Sequence, residues 1–391
     1  MAGPLLRQGA GKTEQAMFLL CCLLFFLIPC TTSPAVIAGG LLLLLWLLSG
    51  RFYTGREGYM GEGWALPVVL LFLLPFLGLA HTPYPELGIK MAQKSYYWLL
   101  TFAIATIMTG ERGRRVFAYC FLAGTSFSVV ISFLQHMGLV PLHRAATATG
   151  FINHINYGLL LVMAITILTF MFRQEASAPR KRALAALMLA FTVNLAMSPS
   201  RAGLLSFLAL SPLMLMNLFG RRNVILIAAA SAVLGASLFL SPVVRQRVSL
   251  AVDEMRDFDR QGRVETSIGL RLVMWEGALK IFRDNPVIGI GTGGYAMGME
   301  KYRRDTGTDD ITHPHNSFLY MAATYGTVGL LILLWYLWVL FRKGWRNRED
   351  LGGVMVLSFS LVFIVGSLTD TQLLTYATGA MAALMTGIRV D

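Results

Sequence analysis

Charge is scarce in this chain: Asp, Glu, Lys and Arg together supply 14% of its 391 residues, where a soluble domain carries roughly a quarter. With hydrophobic residues at 55%, a soluble fold is excluded and an integral membrane protein is implied. Cysteine is nearly missing as well. Cys21, Cys22, Cys30 and Cys120 show neither metal-ligand nor redox spacing and lie in or at the ends of apolar runs, which marks them as packing residues. No repeat at the periods of roughly 20 to 50 residues that signal solenoids is present, and no low-complexity linker divides the chain.

What the sequence has instead is apolar length. Runs able to cross a hydrocarbon core of about 30 Å fall near 15–29, 33–49, 64–80, 95–110, 116–139, 151–172, 182–198, 201–219, 223–243, 316–341, 351–368 and 371–388, twelve in all. The segments 1–14, 50–63, 110–115, 173–181, 220–222, 342–350 and the C-terminal tail hold most of the Lys and Arg, whereas the alternate short loops hold only Lys90, Lys94, Arg144 and Arg201. Short basic loops stay in the cytoplasm, so both termini are expected inside and the long connection 244–315 outside. That connection has 11 basic and 11 acidic residues. The net charge of +12 therefore reports topology, and nucleic-acid binding is not expected. Arg7 and Lys12 ahead of the first apolar run have the outline of a signal peptide, but eleven further runs favour a retained first helix.

The expected fold is an all-α, multi-pass membrane protein, with nine transmembrane helices in 1–243, one large outer loop at 244–315 and three more helices in 316–391. Charges cluster in the loop from Arg245 to Arg263 and from Lys301 to Asp310. Between them Ser267 to Asp284 reads as an amphipathic helix, with Ile268, Leu272, Trp275, Leu279 and Phe282 on one face and Asn285-Pro286 ending it.

Few residues on the outer side could carry chemistry. Arg201, in SPSRAG between two apolar runs, has no carboxylate near it in sequence; an ionisable residue at such depth is costly and is treated as functional, although an interfacial arginine can also snorkel. Arg271 lies on the amphipathic helix, where its planar fork could grip a phosphate or carboxylate. His313 and His315 flank a proline just after Asp309 and Asp310. That grouping admits a divalent metal or an imidazole base, since an unperturbed ring is largely neutral at neutral pH. His315-Asn316 opens an apolar helix, and Gly326 and Gly329 are expected to let that helix pack closely deeper down. GIGTGG at 289–294 satisfies a dinucleotide-binding pattern but follows no buried strand, so a glycine-lined turn is the better reading. His81, His136, His143, His154, Asn153, Asn156 and Asp370 also fall near outer span ends, without an assignable role.

Two arginines and a base on one face suit a reaction on a diphosphate-linked substrate. The pattern His315-Asn316, nine residues, Gly326, two residues, Gly329 resembles the signature of the bacterial O-antigen ligases (WaaL), within the O-antigen polymerase and ligase superfamily. SPSRAGLL at 198–205, SIGLRLVMWEGALKIFRDNPVIGIGTGGY at 267–295 and the single large loop extend the resemblance. It implies a GT-C-like inner-membrane glycosyltransferase of a Gram-negative bacterium that works in lipopolysaccharide biosynthesis. Such an enzyme moves a glycan from undecaprenyl diphosphate to a sugar hydroxyl of lipid A-core at the periplasmic face, with inversion and without metal, nucleotide or other cofactor. Carried onto matching positions, Arg201 and Arg271 would bind the diphosphate and His315 would accept or orient the acceptor proton, with His313, Asn316, Gly326 and Gly329 in support. An O-antigen polymerase, which takes a second lipid-diphosphate glycan as acceptor, and a polytopic transporter or flippase are the alternatives. A transporter would be expected to show an internal repeat and helices broken at the midplane, and the sequence shows neither.

Overall fold

The computed structural model describes residues 11–107, 110–142, 147–220, 267–302 and 311–390, with isolated positions 227, 229, 231 and 249. The expected span 223–243, the charge cluster 245–263 and the pair Asp309 and Asp310 lie outside the described residues. Helices and turns account for the described chain, without a β-strand. Among the described residues, five helices are long and apolar enough to cross a membrane: Glu111–His136, His154–Gln174, Arg201–Phe219, Ser317–Arg346 and Leu351–Thr369. The protein is therefore an all-α integral membrane protein.

Several other expected spans are shorter or broken. The run at 95–110 is divided among Pro85–Gln93, a turn at Lys94–Trp98 and the helix Leu99–Ala105. The run at 371–388 becomes a turn at Gln372–Leu374 followed by Tyr376–Gly387, and that at 64–80 becomes Ala65–Leu77 with a turn at Gly78–His81. At 1.5 Å per residue none of these pieces reaches across a core of about 30 Å. Apolar length alone could not show this. Irregular backbone at membrane depth is allowed where protein, rather than lipid, receives its polar groups.

At the centre stands His154–Gln174, in which every residue from Ile155 to Phe170 is buried. A helix that is apolar all round belongs inside a bundle, and this one packs against Arg201–Phe219, Leu351–Thr369 and Ala178–Met197. The segments expected to share the cytoplasmic side meet at one end. Arg51 pairs with Glu14 at 2.7 Å and Arg114 with Asp350 at 3.4 Å, while Lys343 Nζ donates to the Thr386 carbonyl at 2.6 Å.

The loop helix Ser267–Asp284 has the expected bounds, but a different face is buried. Val273, Met274, Ala278 and Ile281 pack with Tyr295, Met299, Ile311 and Ala323, whereas Leu279 is 55% exposed. The helix carries two apolar stripes, and periodicity cannot tell which one meets protein. A second helix, Gly294–Tyr302, follows and supplies Tyr295 and Met299 to that cluster.

The strap at 286–293 joins these two helices and enters the bundle. Ser317–Arg346 is not continuous: Gly326 has φ 65 and ψ −159, a backbone region essentially restricted to glycine. This corrects the expectation that Gly326 serves close helix packing, and that no helix is broken. The strap satisfies the backbone groups released at the break. Ile290 and Gly291 N–H donate to the Ala323 and Thr324 carbonyls at 3.0 and 2.9 Å, and Thr327 and Val328 N–H donate to Pro286 and Val287 carbonyls at 2.8 and 3.2 Å. On the other side Thr292 N–H donates to the Gly78 carbonyl at 3.1 Å and its hydroxyl to the Pro75 carbonyl at 2.7 Å. Because these N–H groups are already bonded, the GIGTGG run cannot cradle a nucleotide phosphate, even though Gly294 opens a helix. Gly329 sits one turn beyond the break, where a Cβ would strike Tyr325 of its own helix. It relieves the bend and does not admit a neighbouring helix.

Candidate active site

At the end of the bundle opposite the ion pairs, three helices begin beside the end of Leu351–Thr369. His154–Gln174, Arg201–Phe219 and Ser317–Arg346 are each capped by the residue before them. Asn153 accepts from Ile155 N–H at 2.8 Å, Ser200 from Gly203 N–H at 3.0 Å, and Asn316 from Phe318 and Leu319 N–H at 3.0 Å each. Such termini favour anions. The first two are pressed together where Gly158 and Gly203 face each other without side chains. The third is locked to the end of Leu351–Thr369: Asn316 Nδ2 donates to the Leu368 carbonyl at 3.2 Å, Ser317 Oγ to the Asp370 carbonyl at 3.2 Å, and Gln372 N–H to Ser317 Oγ at 3.0 Å. Asn316 is thus a cap and a tie, which aims its neighbour.

That neighbour is His315. Its φ of 49 makes it the one non-glycine residue with positive φ among the described residues, a conformation that costs on the order of 1–3 kcal/mol and persists where surroundings impose it. Here the Asn316 cap holds one side, and Trp275 of the loop helix holds the other by donating Nε1–H to the Pro314 carbonyl at 3.0 Å. The result places His315 Nδ1 at 2.8 Å from Asp370 Oδ1. Thr371 N–H donates to the same oxygen at 2.9 Å. Burial works to raise the Asp370 carboxyl, but the His315 hydrogen bond and charge and the Thr371 N–H outweigh it and hold the group below the usual carboxylate value. Asp370 is therefore an ionised acceptor at neutral pH, and in the neutral form of His315 the tautomer it selects has the proton on Nδ1 and the lone pair on Nε2. With side-chain exposures of 35% for His315 and 6% for Asp370, the acid is sheltered and the imidazole faces outward.

Around the dyad lie further polar groups. The His313 ring is centred 4.4 Å from that of His315, and its Nδ1 accepts from His315 N–H at 3.4 Å. Burial, then the charges of His315 and Lys94, push the His313 imidazole down to about 4, against the pull of Asp370. Arg271, half-buried on the loop helix, and Asp370 both act electrostatically on His154. The loop helix thus places Arg271 within electrostatic range of His154, on which Asp370 also acts. Arg201 is exposed at the first position of its helix, at the same end but without an ion pair or hydrogen bond to the dyad among the described residues. Close by, His154 Nδ1, Asn156 Oδ1, Thr371 Oγ1 and Gln372 Oε1 are buried without a partner, a concentration that water or a hydroxyl-rich ligand would satisfy.

Ligand atoms of His313, His315 and Asp370 lie within 4.8 Å of one another, close enough to share a divalent ion. One feature opposes this: Lys94 brings positive charge to His313. The arrangement favours an anion beside a hydrogen-bonded dyad.

His313 also makes the fold sensitive to acid. Its pKa falls from 6.5 to about 4 in the folded chain, so between those values the unfolded state binds the extra proton and stability rises with pH. Its contribution is present above pH 6.5 and is lost as pH falls towards about 4. The melting temperature of the detergent-solubilised protein should drop across that interval, and His313→Phe should flatten the drop. An equally steep drop in the variant would assign the acid sensitivity to another group.

The sequence singled out Arg271, His313 and His315 and named Asp370 and His154 without a role, but it gave no sign that Asp370 bonds to His315 or that Lys94 acts on His313. Asp370 carried a signal, a lone carboxylate between apolar runs, without any indication of its partner. No curated protein sequence matches the chain. Residues 183–334, which contain Arg201, Arg271, His313, His315 and the glycine break, match the family model Wzy_C, described as O-antigen ligase, so this part of the chain is similar to the O-antigen ligase family.

Proposed function

We propose that the protein is an O-antigen ligase of the bacterial inner membrane, with its site end in the periplasm and both termini in the cytoplasm. It transfers a glycan from undecaprenyl diphosphate to a sugar hydroxyl of lipid A-core. The observation that carries this reading is the His315–Asp370 pair at 2.8 Å with Arg271 within electrostatic reach of its surroundings. In the proposed reaction the acceptor hydroxyl gives its proton to His315 Nε2 as its oxygen attacks the anomeric carbon from the face opposite the diphosphate. The C–O bond to the diphosphate breaks with inversion, the electron pair leaves on the phosphate oxygen, and Asp370 stabilises the imidazolium that forms. Arg271, and Arg201 at the rim of the same end, neutralise the departing diphosphate. Fixed cations aimed at developing charge are worth most in a site sheltered from water. The break at Gly326 is filled by the strap, whose backbone groups pair with those released there.

Purified protein supplied with lipid-diphosphate-linked glycan and lipid A-core, with EDTA present, tests the reading. Conjugated core should form, and Arg271→Ala should lower its rate by about a hundredfold or more. Loss of product in EDTA, restored by a divalent ion, would instead assign His313, His315 and Asp370 to a metal. Longer carrier-linked glycan without conjugated core would identify a polymerase.

A further inference from the structure

A groove of about 230 Å³ opens on the flank of the bundle between Val36, Lys94, Tyr96, Tyr97, Leu374 and Tyr376. Its outer lip belongs to the helix Thr32–Leu48, whose exposed residues Ile37, Leu41 and Leu44 form a lipid-facing surface. Its inner end reaches the site already described. Leu374 lies four residues after Asp370, and the charge of Lys94 acts on His313.

The chemistry of the lining is divided. The Tyr96 and Tyr376 rings stack at 6.1 Å with planes 27° apart. Their neighbourhood offers few donors, because the Tyr376 hydroxyl donates to the Ala35 carbonyl at 2.9 Å and that of Tyr97 to the Leu373 carbonyl at 2.7 Å. These side chains therefore present mainly ring faces, an apolar wall. Lys94 is the one charged residue of the groove. It is exposed and has no carboxylate partner among the described residues. A cation at the inner end of an apolar channel that opens to lipid matches an amphiphile with an anionic head.

We propose that Lys94 is a further anion-binding residue of the transfer site, holding the phosphate of a lipid substrate whose hydrocarbon chain runs out along Tyr96, Tyr376 and Val36 into the membrane. The inference rests on the reading of His315–Asp370 as the place of transfer. Lys94 acts on His313, whereas Arg271 acts on His154. The groove is smaller than the roughly 300 Å³ at which ligand pockets usually begin. It holds only the stretch of chain next to the phosphate, and the rest lies in the bilayer. Both a polyprenyl phosphate donor and a phosphorylated lipid acceptor have this chemistry.

The full-length protein in nanodiscs is titrated with undecaprenyl phosphate and, separately, with lipid A-core, comparing wild type with Lys94→Met and Lys94→Arg. Lys94→Met should weaken undecaprenyl phosphate binding by about tenfold or more, the loss of one charge-assisted bond, while Lys94→Arg retains most of it. Weakening confined to lipid A-core would keep the subsite and assign it to the acceptor. Unchanged affinity for both would overturn the proposal and leave Lys94 as a snorkelling interfacial cation. Transfer by the wild-type preparation is read in parallel. Lys94-dependent binding without transfer would reject the ligase reading alone, and transfer with Lys94-independent binding would reject the subsite alone.

Discussion

His315→Ala should lower glycan transfer by about a hundredfold to ten-thousandfold, the range for loss of a positioned general base. The size follows from the arrangement of the pair. Asp370 is buried, ionised and bonded to Nδ1, so the orientation in which Nε2 would meet the acceptor hydroxyl is already set. Asp370→Asn keeps a side chain of the same shape but removes the charge that stabilises the imidazolium, and its amide can turn a donor towards Nδ1 and select the wrong tautomer. A comparable loss is expected. Residues that act as one unit are not additive: the variant carrying both His315→Ala and Asp370→Asn should be no slower than His315→Ala alone. Rates with lipid-linked donor at saturating acceptor decide the matter. A double variant slower by the product of the single effects would mean that Asp370 acts independently of His315, and full activity of His315→Ala would remove the base from the mechanism.

Gly326→Ala should be among the most damaging single-methyl additions to the described fold. The added Cβ would overlap the Val287 carbonyl, and the backbone angles at Gly326 are nearly closed to any other residue at a cost on the order of 1–3 kcal/mol. Relieving the clash requires the strap to withdraw. Four backbone bonds between 286–291 and 323–328 are then lost at membrane depth, where no water replaces them. Together these effects reach a substantial part of the roughly 5–15 kcal/mol that separates folded from unfolded protein. The variant should be recovered in low yield, with a sharply reduced melting temperature in detergent. Gly40→Ala is the control: a Cβ there meets nothing within 4 Å, and it should be neutral or stabilise by up to about 1 kcal/mol through helix propensity. Equal melting temperatures for Gly326→Ala and wild type would show that the strap does not depend on the glycine break.

The strap also connects stability with function. It continues from Ser267–Asp284, the helix that holds Arg271 and that ties Trp275 to Pro314. Withdrawal of 286–293 would therefore loosen the cation and the turn that aims His315, and Gly326→Ala should lose transfer beyond its loss of folded protein.

Local chemistry determined much of this protein in advance. Scarcity of charge and the length of the apolar runs established the membrane class, and the placement of Lys and Arg anticipated which segments gather at the ion-paired end. The amphipathic pattern and Asn285-Pro286 set the bounds of Ser267–Asp284, and His315-Asn316 marked the start of Ser317–Arg346. Each of these signals is carried by neighbouring residues, which is why a linear reading can find them. The tertiary structure decided the rest. His315 and Asp370 are 55 positions apart, and nothing local to either residue selects the other until Asn316 and Ser317 bind the end of Leu351–Thr369. Which stripe of the loop helix is buried depended on Tyr295 and Met299, residues beyond its end. The break at Gly326 was hidden because glycine is also common in close-packed membrane helices. Only the strap, whose N–H and carbonyl groups must pair away from water, gives that glycine its backbone conformation.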